Sequence, residues 1–223
     1  RRVMLDFELE KCIKMANEIS ARVSISQSIY DAFCVTPRTI FSPVAMNAFR
    51  LDAQPIAGNQ WISSPLTVAK MTRYLEVNNQ LSVLEIGCGS GYQAAILAHL
   101  CRRVFTIERI ERLALSAKKR LADLKLNNVF VRYDDGANGW QSFAPFERIL
   151  FSCACKDRVP ERILDQLAVG GILVAPIQRG NKQQIIRIEK RPSPVGGLFA
   201  GQKNLRETVL EECEFVPLLS GVE

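Results

Sequence analysis

The stretch Val83-Leu84-Glu85-Ile86-Gly87-Cys88-Gly89-Ser90-Gly91-Tyr92 limits what this chain can fold into more than any other. An apolar run leads into three glycines at alternate positions and then into a helical pattern. A doubly wound sheet brings its backbone against a ligand in this way, at the switch point of the strand order. The spacing is G-x-G-x-G, whereas the dinucleotide fingerprint G-x-G-x-x-G would put its last glycine where Tyr92 stands. A pyrophosphate turn therefore loses. Glu85 points the same way, because an acid ahead of the turn repels a pyrophosphate and suits a cationic amino acid.

The chain around this turn alternates helix and short β-branched run from Ser63 to about Lys190, the signature of a mostly parallel sheet with helices on both faces. The pattern predicts strands at Val83–Ile86, Val104–Ile107, Val129–Arg132, Arg148–Ser152, Ile172–Ala175 and Gln184–Ile188. Helices are predicted at Pro65–Val77, Gln93–Cys101, Ile110–Leu124 and Pro160–Leu167. Residues 1–62 open with a helical stretch, Met4–Ile19, and continue through Thr36-Pro37, Ser42-Pro43 and Gln54-Pro55. So broken a segment reads as a helical cap or lid and not as core strand. After a break at Arg191–Gly197, residues 191–223 should complete the sheet with an antiparallel edge strand at about Thr208–Val216. The expectation is one structural domain with its core at 63–190.

Composition closes off other classes. No apolar run reaches the roughly 18 residues that cross a bilayer, and the first twenty residues mix acids and Lys11 into the apolar positions, leaving no signal-peptide h-region. The seven cysteines are odd in number and lack disulfide-framework spacing, so they read as reduced thiols in a cytoplasmic protein. Cys153 and Cys155 form C-x-C, too few ligands for a zinc site. No metal is expected. The net charge of +6 raises a nucleic-acid partner, but the densest basic run, Lys118-Lys119-Arg120, falls largely on the wet side of an amphipathic helix. No nucleic-acid or membrane partner is expected, and a monomer is.

Two further acids follow the glycine turn. Glu108 ends the second strand, where a carboxylate can accept both hydroxyls of a ribose, and Asp135 follows the third, where it could accept from an adenine amino group. Three carboxylates at successive strand ends, with the glycine turn, point to S-adenosylmethionine. The predicted cofactor pocket is Glu85, Gly87, Cys88, Gly89, Gly91, Glu108, Arg109, Asp135 and Gly136. Upstream, Ile62, Ser63 and Ser64 precede Pro65. Ser64 is a natural N-cap, which leaves the Ser63 hydroxyl free beside the bare N–H groups of a helix start, a carboxylate receptor.

At Ile62-Ser63-Ser64-Pro65 with Val68-Ala69-Lys70-Met71 the sequence resembles the protein-L-isoaspartate (D-aspartate) O-methyltransferase family. The likeness continues through the glycine turn, Asp135-Gly136, Gly139-Trp140, Ala144-Pro145-Phe146, Leu167–Pro176 and Phe215-Val216-Pro217-Leu218. The turn alone fits any class I methyltransferase, whereas I-S-x-P and F-V-P-L are more specific. The resemblance implies a class I, Rossmann-like enzyme that methylates the free α-carboxyl of L-isoaspartyl residues in damaged proteins. The ester then collapses to a succinimide that reopens partly as aspartate. D-Aspartyl residues are a second acceptor class in the family's name. The resemblance also implies that Ser63 is the catalytic residue that holds the reacting carboxylate, with Ile62 and Ser64 beside it on the substrate. Four departures stand out: Ser64 where bacterial relatives usually have Gln, Asp134 for a glycine, Glu147 for an aspartate, and a Cys-rich, charged Phe151–Val159, expected to face the acceptor.

A carboxylate with a pKa near roughly 4 is already ionised and needs no general base. The one histidine, His99, lies in a predicted helix away from the strand ends and reads as a surface residue. Two other classes remain open from sequence: a methyltransferase of RNA or a small molecule, and a non-catalytic cofactor-binding sensor or scaffold.

Overall fold

The computed structural model describes residues 6–79, 81–193 and 204–223. In chain order the elements are α1 (Asp6–Ser20), α2 (Gln27–Val35), β1 (Gln54–Ile56), β2 (Gln60–Ile62), α3 (Pro65–Leu75), β3 (Ser82–Ile86), α4 (Tyr92–Ala98) and β4 (Arg103–Glu108). They continue as α5 (Glu111–Asp123), β5 (Val129–Tyr133), β6 (Phe146–Phe151), β7 (Cys155–Lys156), α6 (Glu161–Gln166), β8 (Leu167–Arg179), β9 (Lys182–Arg191) and β10 (Asn204–Glu212).

Seven strands run in the order β10-β9-β8-β6-β3-β4-β5, with β7 paired to β8. Neighbours from β5 across to β8 are parallel, and β9 and β10 are antiparallel additions. Every residue of β3 is buried, as a strand covered by helices on both faces must be. The chain winds outward from β3 through β4 to β5, then returns to β6 on the other side. The loops after β3 and β6 therefore diverge and open a crevice between them.

All six predicted strands and four predicted helices are present, displaced by a few residues at their ends. Two differences have identifiable causes. Helix α4 stops at Ala98 instead of Cys101: the His99 N–H bonds back to the Ile96 and Leu97 carbonyls, and Leu100 and Cys101 begin the turn into β4. The edge strand lies at Asn204–Glu212, earlier than expected, with a bulge between Val209 and Glu211. The Gln183 side chain then takes the Phe215 N–H at 2.6 Å and draws Glu214–Val216 off the sheet toward the crevice. Of the predicted helix Met4–Ile19, residues 4 and 5 lie outside the described residues, as do 194–197 of the predicted break.

The cap packs onto the sheet instead of standing apart. Met15, Ile19, Phe33 and Phe41 share one core cluster with Tyr92, Ile96 and Leu121. In α1 the buried positions Cys12, Met15, Ala16 and Ile19 recur at helical spacing. The hairpin β1-β2 then brings Trp61, Ile62 and Ser63 over the carboxyl ends of the parallel strands. Ser64 caps α3 by accepting the Thr67 N–H at 3.1 Å, with Pro65 in the first turn, as its sequence position predicts. Among the described residues no helix is long and apolar enough to cross a membrane.

Candidate active site

Three adjoining cavities occupy the crevice, and Trp61 and Ser152 line all of them. The first runs along Gly87, Gly89, Glu108, Arg109 and Gly136, under Val216–Leu219. The second is walled by Glu85, Gly87, Cys88, Gly89 and Ser63. The third, of about 360 Å³, is walled by Ser63, Ser64, Thr67, Ser152, Glu214 and Phe215.

Glu85 is fully buried at the end of β3. It accepts hydrogen bonds from the Thr106 hydroxyl at 2.7 Å and the Ser152 hydroxyl at 3.0 Å. Burial pushes its carboxyl pKa up to about 8, a rise that the two hydroxyls oppose and the charge of Glu108 reinforces. A cation beside it would relieve that penalty, so the cradle suits an ammonium group.

Glu108 shapes the glycine turn itself. One carboxylate oxygen takes the Gly89 N–H at 2.7 Å and the other the Ile110 N–H at 3.0 Å. A carboxylate offers about four acceptor sites, so two remain for vicinal hydroxyls. Gly89 has φ +55°, and a Cβ built on it would meet only Ile56 Cδ1, at 3.8 Å, so its Cα opens onto free space. Gly91 differs: its Cβ would meet Ala117 at 3.3 Å, and it does not line any of the three cavities. Its glycine lets the start of α4 pack on α5. Cys88 is buried, its thiol pKa raised well above the ordinary value by burial.

Asp135 does not line these cavities, although its neighbour Gly136 does. Its carboxylate takes the Ala137 N–H at 2.9 Å and the Gly221 N–H at 2.7 Å. Arg109 is tied to the same C-terminal tail: its guanidinium bonds the Gly221 carbonyl and the Glu223 carboxylate, and its own carbonyl accepts the Glu223 N–H. Ala154 exchanges backbone bonds with Val216 and Leu218, fixing the tail as a strap across the first cavity.

Ile62, Ser63 and Ser64 meet at the boundary of the second and third cavities. Of the segment Phe151–Val159, expected to face the acceptor, only Ser152 and Cys153 line the crevice. Cys155 and Lys156 instead pair with β8, which turns the remainder away. Two of the other departures lie off the crevice: Glu147 accepts the Ser82 N–H at the start of β3, and Asp134 pairs with Arg132, whereas Ser64 lines the third cavity. Sequence reasoning missed Ser152, Thr106, Trp61 and the strap. For Ser152 and Thr106 a signal existed, since both are polar residues in or beside strands that neighbour β3.

Among the described residues no group of three His, Cys, Asp or Glu could hold a metal. None of the seven cysteines is joined in a disulfide. His99, at the far end of α4, is exposed.

The protein-family description "Protein-L-isoaspartate(D-aspartate) O-methyltransferase" matches residues 10–223. A protein-L-isoaspartate O-methyltransferase of Helicobacter pylori (strain G27) is 48% identical over 213 residues, covering 94% of this chain and 96% of the relative. One from Geotalea uraniireducens is 43% identical over 189 residues, covering 84% and 87%. Among solved structures, a protein-L-isoaspartate O-methyltransferase superposes with TM-score 0.80 at 23% identity, covering 96% of this chain and 67% of that one. A putative one from Plasmodium falciparum, in complex with S-adenosyl-L-homocysteine, gives 0.78 at 18% identity, covering 93% and 97%.

Proposed function

The chain belongs to the protein-L-isoaspartate(D-aspartate) O-methyltransferase family, and from that membership we propose its reaction. The enzyme transfers the methyl group of S-adenosylmethionine to the free α-carboxyl of L-isoaspartyl residues in damaged proteins. The observation that carries the assignment is the junction at Ser63 and Ser152, where an acidic cradle meets a hydroxyl-walled cavity.

When bound, S-adenosylmethionine supplies an electrophilic methyl on a sulfonium whose sulfur leaves neutral. The residues of the chain hold, orient and desolvate. Glu85, backed by Thr106 and Ser152, would face the ammonium of the methionine part. Glu108 would receive the ribose hydroxyls on its two remaining acceptor sites, and Gly87 and Gly89 would leave room for the chain between. Cys88 and Arg109 would contribute backbone beside them, and Gly136 would meet the base edge. Asp135 remains the expected adenine acceptor: it would accept on the sites that Ala137 and Gly221 leave, although it is Gly136, not Asp135, that lines the first cavity.

Ser63 donates its hydroxyl to the reacting carboxylate and fixes one oxygen in line with the methyl carbon. That oxygen attacks as an anion, so no proton has to be removed. The third cavity agrees: its lining has no histidine, lysine, cysteine or tyrosine, and its one ionisable residue, Glu214, is solvent-exposed. The proposed working unit is a monomer, and seven cysteines outside any disulfide suit a reducing cytoplasm.

The test is methyl transfer from radiolabelled cofactor to paired peptides that differ only in aspartyl or isoaspartyl linkage. A base-labile ester on the isoaspartyl member alone is the expected result. A stable product on RNA, or cofactor binding without turnover, overturns the assignment.

A further inference from the structure

Among the largest fully buried side chains is an arginine. Arg38 has no exposed surface. Its guanidinium carbon lies 4.5 Å from the centroid of the Tyr92 ring, and Nη2 donates to the main-chain carbonyl of Ser63 at 2.8 Å. Nε and Nη1 have no partner, nor does the Tyr92 hydroxyl. No carboxylate among the described residues pairs with it. The acid whose charge reaches it, Asp52, is exposed and already bound to Arg50. Burial lowers its pKa, while the Tyr92 hydroxyl beside it and then the charge of Asp52 oppose that shift, and a guanidinium stays charged at neutral pH. A buried cation held by one carbonyl and one ring face, with no carboxylate beside it, is costly to keep.

What the cation does hold is the segment that faces the acceptor. The acceptor of the proposed reaction is an anion, yet no lysine or arginine lines the third cavity. In a trans peptide the C=O and the following N–H point in opposite directions. With the Ser63 carbonyl held on Arg38, the Ser64 N–H points away from that guanidinium, and Ser63, Ser64 and Thr67 are the residues of this segment that wall the cavity. That N–H makes no hydrogen bond among the described residues, because the Ser64 hydroxyl, not its backbone, caps α3. A charged donor on the carbonyl also polarises the peptide and strengthens the N–H as a donor in turn.

We infer that Arg38 is a positioning residue for the acceptor: it locks and polarises the Ser63–Ser64 peptide so that the Ser64 N–H binds the anionic isoaspartyl carboxylate. Arg38 touches neither substrate nor cofactor, and it acts through the peptide. The inference rests on the proposed function, and the experiment keeps the two apart.

Initial rates on an isoaspartyl peptide and calorimetric S-adenosylmethionine affinity are measured for wild type, Arg38→Met and Arg38→Lys, with folding followed by circular dichroism. Arg38→Met should raise the peptide KM about tenfold or more, the scale of a hydrogen bond to a charged group, while cofactor affinity stays within about twofold. Arg38→Lys, which keeps the charge and can still donate to the Ser63 carbonyl, should recover part of the loss. Because a buried cation's removal can disturb folding, Ser64→Pro and Ser64→Ala form a second pair. Both lack the cap hydroxyl, but only proline lacks the N–H, and the φ of −58° at Ser64 already suits it. Ser64→Pro should show a peptide KM about fivefold or more above that of Ser64→Ala. Equal KM values in that pair, or a folded Arg38→Met with an unchanged KM, overturn the inference while the reaction stands. A wild type that leaves the isoaspartyl peptide unmethylated overturns the reaction, and the inference falls with it.

Discussion

Glu85 gives the candidate site its sharpest pH signature. The carboxyl is fully buried, and burial, against two hydroxyl hydrogen bonds, raises its pKa to about 8. At neutral pH it is mostly protonated, whereas a cofactor ammonium calls for the anion, so binding must expel a proton. With that pKa, roughly 1% of the carboxyl is ionised at pH 6 and roughly 9% at pH 7, so cofactor affinity should rise about tenfold between them. Calorimetry in buffers of different ionisation heat measures both quantities, and close to one proton should leave per cofactor bound at pH 6.5. Glu85→Gln should bind more weakly, with a flat pH dependence and no proton release. Folding has the opposite sign. The carboxyl ionises near 4.5 in the unfolded chain and near 8 in the folded one, so stability is greatest below pH 4.5 and is lost as pH rises toward 8. Without cofactor, this carboxyl makes the fold weaker over the range where binding grows stronger. A wild-type affinity that does not change between pH 6 and pH 7 refutes the placement of the ammonium on Glu85.

Ser63→Ala should leave folding and cofactor affinity near normal and lower kcat/KM on an isoaspartyl peptide roughly 10- to 100-fold, the scale of one hydrogen bond to a charged group; an unchanged initial rate removes Ser63 from the acceptor site. Gly89→Val places a side chain in the cofactor's space at a backbone of φ +55°. It should abolish measurable binding in a calorimeter, and normal affinity moves the pocket elsewhere. His99→Gln should preserve turnover to within about twofold, because His99 follows the far end of α4 and lines none of the three cavities; a hundredfold loss in a folded variant means that the orientation of the crevice is wrong.

The fold, and the placing of Glu85, Glu108, Gly87 and Gly89 along the crevice, were legible because their signals are local. Three glycines after an apolar run specify a strand, a turn and a helix within ten residues, and Glu85 and Glu108 announce themselves as acids at the ends of buried strands. Ser64 as a cap and Pro65 as a first-turn residue were equally readable, since capping acts within one helical turn. Where strand ends were misplaced, a side chain from elsewhere was responsible: Gln183 draws Phe215 off the edge strand from 32 residues away.

The illegible part is long-range and polar. Asp135 follows the third strand as expected, but its carboxylate meets the Gly221 N–H, 86 residues on, and Arg109 reaches Glu223 across 114 residues. No periodicity or spacing encodes such a meeting. It arises because β9 and β10 return the chain to the carboxyl ends of the parallel strands and release it there. Arg38 was hidden for a different reason. In sequence it is one cation among 29 lysines and arginines, and the default for a charged residue in a Pro-broken segment is the surface. Only burial distinguishes it, and burial belongs to the packed cap, where the guanidinium lies over Tyr92 and against the Ser63 carbonyl. The sequence marks where an anion should bind through the hydroxyl it exposes, Ser63. The cation behind that hydroxyl shows only when the cap is folded over it.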